Sequence, residues 1–256
     1  MKYLKEFTTT AQYEAYTADT ANFILPNVSI CNDNPTVVYY NPYVDPYNGH
    51  DYVDLGLSVK WAKCNVGAEK EEEYGLYFQW GDTSGYTAEQ VTGSSTPHKV
   101  FRWTDYKYGN GTLNPGTTGM TKYNDTDGKR VLELEDDAAH VNMGGSWRMP
   151  TEAEFNELIN TANTTSAWTT VNRVYGVTFT SKKSGYTDKY VFFPAAGYCL
   201  NGSLSNKGSY GYVWSSTLYS SDVNYGMSLD FGNGYRNVDD FNGRRYGFSV
   251  RGVFGC

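Results

Sequence analysis

Residues 215–246 read SSTLYSSDVNYGMSLDFGNGYRNVDDFNGRRY, and the way this stretch folds decides the architecture of the C-terminal half. Asn, Tyr, Ser, Gly and Asp fill 21 of its 32 positions, a composition that usually forms solvated loops. Within it, however, every second position from Tyr225 to Phe231 is apolar or aromatic, whereas Gly, Ser and Asp stand between them. This period of two predicts a strand that buries Met227, Leu229 and Phe231 and turns its polar side chains to the other face.

Two aromatic motifs flank this stretch, which we call the display segment. They read YGYVWSST at residues 210–217 and YGFSVR at residues 246–251, and the second alternates like a final strand. Tyr supplies rigid contact area at low entropy cost, and Ser, Gly and Asn supply adaptable hydrogen bonds, as in the binding loops of antibodies. The pattern indicates a rigid frame that holds a recognition surface, rather than a catalytic site.

The overall charge argues against two classes of partner. The chain has 256 residues, a formal charge of -7 and a pI of about 5.0, which is unfavourable for binding nucleic acid or anionic membranes. Its densest basic pair, Lys182 and Lys183, is typical of a hairpin turn. No run of 18 apolar residues predicts a membrane span, and the first residues lack the apolar core of a secretory signal.

The composition divides the chain into two parts. Residues 1–48 predict a short helix at 8–19 and strands at 27–31 and 36–40, followed by a linker rich in Pro and Gly. This segment is either an attachment module or an irregular extension of the main body. Residues 49–256 form the main domain, with the display segment at about 215–246.

The main domain contains two helix signals. One begins near Glu135 and runs to about Val141, with acidic residues at its start as the helix dipole favours. The other begins with a capping box formed by Thr151 and Glu154, after which Phe155 and Leu158 recur at helical spacing. Strands are predicted at 52–61, 74–80, 174–180 and 189–193, and long ordered loops between 81 and 128. Five tryptophans are expected in the core or its frame: Trp61, Trp80, Trp147, Trp168 and Trp214.

Residues 144–155, GGSWRMPTEAEF, resemble the Arg-x-Pro-Thr-Glu-x-Glu-aromatic segment of the formylglycine-generating-enzyme-like branch of the C-type lectin fold. Five further motifs are similar to a paralogous domain that is abundant in Bacteroides and Fibrobacter. They are DLGLSVKW at 54–61, YGLYFQWG at 74–81, FPAAGY at 193–198, GSYGYVWSST at 208–217 and GFSVR at 247–251. The resemblance covers residues 51–256 and implies an α+β fold, a C-type-lectin-like domain with two helices and short twisted antiparallel strands. The N-terminal segment would add a small α/β extension.

Members of that fold that resemble this chain include variable proteins of diversity-generating retroelements. In these systems a reverse transcriptase mutates adenines in a repeat that encodes the C-terminal part of the domain, so that Asn codons change most. The display segment is similar to such a variable region, and LPNVS at 25–29 and YNPY at 40–43 loosely resemble the openings of structural proteins of Bacteroides phages. The resemblance implies a phage or prophage receptor-binding protein that sets host tropism, located on the virion or on a bacterial cell surface. A fixed domain without diversification, such as a surface adhesin with a sugar-binding site, remains the alternative.

The expected ligand is a cell-surface protein or glycan, bound without a cofactor, without nucleic acid and without insertion into a membrane. Copies of the chain could associate into a homo-oligomer through the N-terminal segment. Tyr219 and Tyr235 would be the aromatic anchors, since a few aromatic residues carry most of the energy of an interface, and Arg244 could pair with a carboxylate. The expected ligand-binding residues share exposed polar or aromatic side chains at 219–246. They are Tyr219, Ser221, Asp222, Asn224, Asp230, Asn233, Tyr235, Asn237, Asp239, Asp240, Asn242 and Arg244.

Catalytic motifs do not emerge, and no catalytic or metal-binding residue is expected. The formylglycine-generating enzymes use a pair of C-terminal cysteines, whereas Cys199 and Cys256 of this chain do not lie in the matching motif. The four cysteines form no C-x-x-C pair and are expected to be free or buried thiols. The carboxylates at 133 and 135–137 would either bind calcium or begin a helix. We favour the helix because a calcium site also needs carbonyl oxygens and a specific loop shape.

Sequencing this gene across one source population tests the diversification. We expect amino-acid changes to concentrate at exposed positions of residues 215–246 and to show an adenine bias in the DNA. An invariant segment would contradict the diversified reading and would favour a fixed adhesin.

Overall fold

The computed structural model describes residues 47–238 and 241–255, all of which lie within the unit Pro46–Cys256. The helix and strands predicted for the N-terminal extension lie outside the described residues. So do Cys31, Asp239, Asp240 and Cys256.

The described residues form short helices and short strands. The helices are α1 (Ala88–Thr92), α2 (Ala138–Met143) and α3 (Glu152–Ile159). The strands are β1 (Tyr52–Val53), β2 (Val59–Asn65), β3 (Thr164–Val171), β4 (Val174–Ser181), β5 (Tyr190–Pro194), β6 (Tyr198–Leu200), β7 (Ser203–Ser205), β8 (Tyr210–Leu218), β9 (Tyr225–Gly232), β10 (Tyr235–Asn237), β11 (Phe241–Gly243) and β12 (Arg251–Gly255).

The expectation of a C-type-lectin-like α+β fold is wrong. The described part is mostly β, with 35% strand and 14% helix arranged as several small antiparallel sheets, and a C-type-lectin fold is not shown. Its three helices have only five, six and eight residues. The physical reason is local, since the segments between strands are rich in Gly, Asn and Thr, which favour turns and caps over helix interiors. The expected short antiparallel strands are present.

Both predicted helices exist, with one change of start. The capping box before α3 is confirmed, because the amide of Glu154 donates to Thr151 Oγ1 at 3.3 Å and the amide of Thr151 donates to Glu154 Oε2 at 2.8 Å. The other helix, α2, begins at Ala138 rather than near Glu135, since residues 134–136 form a 3-10 turn. Helix α1 was not predicted, although Thr87 and Gln90 form a capping box there as well.

Four antiparallel sheets organise the strands. Strand β2 lies between β1 and β12, β4 lies between β3 and β5, and β6 pairs with β7. In the fourth sheet β9 is central, with β8 along one edge and both β10 and β11 along the other. The predicted strands at 52–61, 174–180 and 189–193 are thereby confirmed. Residues 74–80 and 246–250 form isolated bridges, such as Phe78 with Phe248, instead of continuous strands.

Strand β9 is packed on both faces. Met227, Leu229 and Phe231 are buried as predicted, and Leu229 lies in a core cluster with Trp61 and Phe155. On the opposite face, Trp80 covers Gly226, where a Cβ atom would stand 2.6 Å from the indole ring. The display segment is therefore not a solvated loop, because its central strand lies between two apolar layers.

The five tryptophans expected in the core or its frame lie there, but one of them is only half-buried. Trp61, Trp80, Trp147 and Trp214 have no exposed surface, whereas Trp168 is half-buried at the margin of a core cluster. Trp103 is also buried.

A buried arginine joins three strands of the body. The guanidinium of Arg251 donates to Asn65 Oδ1 at 2.9 Å and to the carbonyls of Ala62, Lys63 and Phe192 at 2.7–2.9 Å. Burial lowers the pKa of Arg251 to about 10. These bonds satisfy carbonyl groups that would otherwise be buried without partners.

A charged cluster anchors the long irregular segment between α1 and α2. Asp136 accepts hydrogen bonds from Lys107 at 2.8 Å, Lys122 at 2.5 Å and Tyr123 at 2.7 Å, and also from the hydroxyl of Tyr108. Burial alone would raise the pKa of the Asp136 carboxyl, but these donors outweigh it and hold the pKa well below its usual range. The ionised carboxylate therefore ties three points of the segment together.

Acid should weaken this anchor. Because the pKa of Asp136 is lower in the folded chain than in the unfolded chain, its stabilisation is complete above about pH 4 and is lost as the pH falls toward the folded value. We expect the free energy of unfolding, measured by urea titration, to decrease below about pH 4, and Asp136→Asn to flatten that decrease. The matched control is Asp51→Asn, whose side chain is 81% exposed. Equal acid dependence in Asp136→Asn and the wild type would contradict the assignment.

Candidate ligand-binding surface

One face of the fourth sheet, which consists of β8, β9, β10 and β11, carries a group of tyrosines. Strand register places Tyr212 of β8 and Asn237 of β10 opposite Asp230 on either side of β9, and it places Tyr210 and Tyr235 opposite Gly232. Directly opposed residues of antiparallel strands point to the same side of a sheet, so these side chains share one face. The face is continued by Tyr198 and Tyr246, and we call these five tyrosines together the tyrosine face.

Three rings of the tyrosine face, those of Tyr198, Tyr212 and Tyr246, are supported by aromatic contacts. The ring centroid of Tyr198 lies 5.3 Å from that of Tyr212 and 5.5 Å from that of Tyr246, and the ring of Phe248 lies within 6.4 Å of all three. Tyr210 and Tyr235 are 43% and 40% exposed, whereas the other three rings are half-buried. The face thus combines a supported inner side with phenol groups that reach solvent.

A buried polar network lies beside these rings. Asp230 is only 5% exposed, accepts the hydroxyl of Ser228 at 2.6 Å, and accepts the side-chain amide of Asn242 at 3.1 Å. The same amide reaches Ser228 Oγ at 3.0 Å. These two bonds fix the side-chain amide of Asn242 in one orientation at the margin of the face. Burial raises the pKa of Tyr212, so this phenol remains a neutral donor and acceptor at physiological pH.

A second aromatic group lies at the other end of β9. Tyr219 stacks on Phe241 with ring centroids 4.1 Å apart, and Tyr225 meets the same ring edge-on at 5.2 Å. Phe241 is 45% exposed and lies opposite Met227, so it points away from the tyrosine face. The two ends of the eight-residue strand β9 are roughly 24 Å apart, so the two groups are separate surfaces.

The structure therefore divides the expected ligand-binding residues instead of joining them on one surface. Tyr219, Ser221, Asp222 and Asn224 lie near the start of β9, whereas Asn233, Tyr235 and Asn237 lie near its end. Asn242 is half-buried and bonded to the network, and Asp239 and Asp240 lie outside the described residues. The anchors Tyr219 and Tyr235 thus belong to different surfaces.

The expected exposure of Asp230 and Arg244 is wrong. Arg244 has no exposed surface and does not pair with a carboxylate in the described part of the chain. Its Nε donates to the hydroxyl of Tyr106 at 2.6 Å, and its other nitrogens donate to the carbonyls of Lys122, Tyr123 and Val223 at 2.9–3.1 Å. The guanidinium also lies 4.8 Å from the centre of the Trp80 ring. The polar composition of the display segment predicts an exposed Arg244 side chain. The side chain is buried instead, because it donates to backbone carbonyl groups of the loops.

Tyr198, Tyr210, Tyr212 and Tyr246 are the surface residues that the sequence reasoning missed. The aromatic motif at 210–217 predicts a supporting frame, although Tyr210 and Tyr212 alternate with Gly211 and the buried Val213. That period of two, with tyrosine on one side and small or apolar residues on the other, was the available signal.

A lysine side chain lies among the acidic residues near α2. Ligand atoms of Glu133, Glu135 and Asp136 lie within 4.8 Å of one another, and Lys122 Nζ stands 2.7, 2.9 and 2.5 Å from them. The lysine supplies the positive charge that a calcium ion would bring. Asp137 instead accepts the amide of His140 at 2.9 Å as the cap of α2, which confirms the helix-start interpretation for this residue.

The two described cysteines are free, as expected, and neither is an activated thiol. Cys199 is fully buried, and burial raises the pKa of its thiol to about 12. Cys64 lines a cavity of about 550 Å³ beside His50 and Asp51, but burial raises the pKa of this thiol too. Nucleophilic cysteines have lowered pKa values, so these thiols lack the property that such chemistry requires.

Comparison with known proteins gives one match. A family model described as a domain of unknown function (DUF8237) matches residues 166–253. These residues run from within β3 into β12 and contain all five tyrosines of the tyrosine face. Neither the curated proteins nor the solved structures contain a match to the chain. In the part of the chain that the structure describes, no helix has both the length and the apolar character needed to cross a membrane.

Replacing Arg244 tests its structural role. We expect Arg244→Ala to lower the free energy of unfolding by about 3 kcal/mol or more, because several buried carbonyl groups would lose their donor. The neighbouring Arg245 is half-exposed, with its guanidinium over the rings of Trp103 and Tyr246, so Arg245→Ala serves as the control and should cost about 1 kcal/mol or less. Urea denaturation of both variants measures the difference, and equal losses would contradict the anchoring role.

Proposed function

We propose that this chain is a non-enzymatic ligand-binding protein that recognises a cell-surface protein or glycan through the tyrosine face. The observation that carries the proposal is the grouping of five tyrosines on one face, three of them supported by Phe248, beside the fixed amide of Asn242. Tyrosine is enriched at protein interfaces because its ring buries apolar area while its hydroxyl forms a hydrogen bond.

The rigidity of the face supports the proposal. Its residues lie on paired strands, and Phe248 and the network around Asp230 restrain the side chains. A surface that is ordered before binding loses less conformational entropy when the ligand arrives. This arrangement suits recognition, which needs several contacts held at fixed positions.

The chemistry of the described residues also favours binding over catalysis. The thiols of Cys64 and Cys199 have raised pKa values, and the acidic group at 133–136 is neutralised by Lys122. A catalytic site would be expected to contain a group whose pKa is shifted toward neutrality in an accessible cleft.

We further propose that the ligand lies on bacterial cells and that the protein serves host recognition by a phage or prophage. This part rests on the resemblance of the display segment to variable regions of diversity-generating retroelements. Diversification within residues 215–246 would change Tyr235 of the tyrosine face and side chains near Tyr219, while Tyr198, Tyr210 and Tyr212 lie outside that segment and the buried strand β9 keeps the sheet intact.

Binding of the fluorescently labelled chain to a panel of intact Bacteroides isolates tests the proposed function. We expect saturable binding to at least one isolate, and we expect Tyr212→Ala and Tyr235→Ala each to weaken it about tenfold or more, because aromatic residues at the centre of an interface dominate its energy. Tyr190→Ala is the matched control, since Tyr190 is 43% exposed but lies on β5.

Circular dichroism and the urea midpoint of each variant separate lost contacts from lost folding. Tyr235→Ala is the sharper variant because the ring is 40% exposed and its removal leaves the core untouched. Unchanged affinity in both tyrosine variants, or binding to none of the isolates, would contradict the proposed function.

A further inference from the structure

A cleft at the end of the tyrosine face is lined by three aromatic rings. Its volume is about 310 Å³, and its lining residues come from β3, β4, the loop before β8 and the β9–β10 turn. They are Trp168, Tyr175, Gly208, Ser209, Tyr210 and Asn233. Small-molecule sites begin at about 300 Å³, so the cleft can hold a small ligand or one unit of a larger one.

Two of these rings present parallel faces. Trp168 and Tyr175 are diagonal neighbours on adjacent strands, since Trp168 pairs with Val177 and Tyr175 pairs with Thr170. Their ring planes differ by 11°, and their centroids are 6.1 Å apart. Val177 on the same face is fully buried, whereas Tyr175 is 52% exposed. The face of the β3–β4–β5 sheet that packs on the core therefore continues beyond it, and Trp168 and Tyr175 at its end border the cleft.

The polar groups of the cleft are all uncharged. Ser209 offers a hydroxyl, Asn233 offers an amide that can both donate and accept, and Tyr210 offers a phenol. The nearest charged residue in sequence, Lys207, holds its ammonium 4.8 Å from the centre of the Tyr74 ring, and Tyr74 does not line the cleft. A lining without charge disfavours phosphate, carboxylate and cationic ligands, because their desolvation would not be repaid.

We propose that this cleft binds a neutral saccharide, with the C–H face of one sugar ring stacked on the exposed ring of Tyr175, which the parallel ring of Trp168 supports. Aromatic faces are electron-rich and attract the electropositive C–H groups of a pyranose, while Ser209, Tyr210 and Asn233 bond its hydroxyls. The inference rests on the proposed function, because Tyr210 belongs to both the cleft and the tyrosine face. It assigns a glycan, rather than a protein, as the ligand.

An array of neutral oligosaccharides, followed by saturation-transfer NMR with the methyl glycosides of mannose, galactose, glucose and N-acetylglucosamine, tests the ligand class. We expect the wild-type chain to bind at least one of these probes, with transfer strongest to ring C–H protons. Tyr175→Ala should weaken binding about tenfold or more, since the stacked face is lost. Tyr175→Phe keeps the ring and should retain binding, and Tyr190→Ala should behave as the wild type.

Two results would overturn the inference, namely a wild-type chain that binds none of these probes, or unchanged saccharide binding in Tyr175→Ala. The cell-binding assay separates this failure from failure of the proposed function. If Tyr235→Ala loses cell binding while Tyr175→Ala keeps it, the saccharide inference fails and the tyrosine face stands. If neither substitution affects cell binding, the proposed function fails as well.

Discussion

The guanidinium of Arg244 connects two parts of the chain that lie far apart in sequence. One is the irregular segment around Lys122 and Tyr123, and the other is the display segment, which contributes Val223 and the arginine itself. Both bring backbone carbonyl groups into the interior without a neighbouring strand to satisfy them. A guanidinium has five N–H donors in a fixed planar arrangement, so a single side chain can satisfy several carbonyls at once. Its contact with Trp80 adds an aromatic face to the same site.

This anchor places β9 between two apolar layers. Trp80, which lies against Arg244, also covers Gly226, and the opposite side of β9 packs toward Trp61 and Phe155. Asp230 and Gly232 at the far end of the strand remain buried, and Tyr212 and Tyr235 lie opposite them on the neighbouring strands. The position of the tyrosine face is thus set by the strands that pair with this end of β9. A surface built on such a strand is more precisely positioned than one built on a free loop.

Sequence alone predicts the elements whose signal is local. The capping box at Thr151 and the alternation along β9 each depend on a few neighbouring residues, and both are observed. The α+β expectation was wrong because the motifs at 144–155 and 247–251 contribute a turn, a bridge and core contacts, which several architectures can share. The exposure of Arg244 could not be read locally either. It depends on carbonyls of Lys122 and Tyr123, more than a hundred positions away in the chain.

In the candidate surface, too, the exposure of polar residues depends on the fold and not on the local sequence. Ser, Asp, Asn and Arg look equally suited to solvent in the display segment, yet Ser228, Asp230 and Arg244 are buried while Asn233 is exposed. Their roles differ because a buried polar group is retained only where another group bonds it, and that partner comes from the fold. The positions free to vary without damage to the fold are therefore the ones whose polar atoms need no internal partner. Of those named here, Asn233 meets this condition by lining an open cleft, whereas Asp230 is held inside by Ser228 and Asn242. Buried residues with internal partners and exposed residues consequently occur within one stretch of sequence, and the contacts made by the fold determine which residue is which.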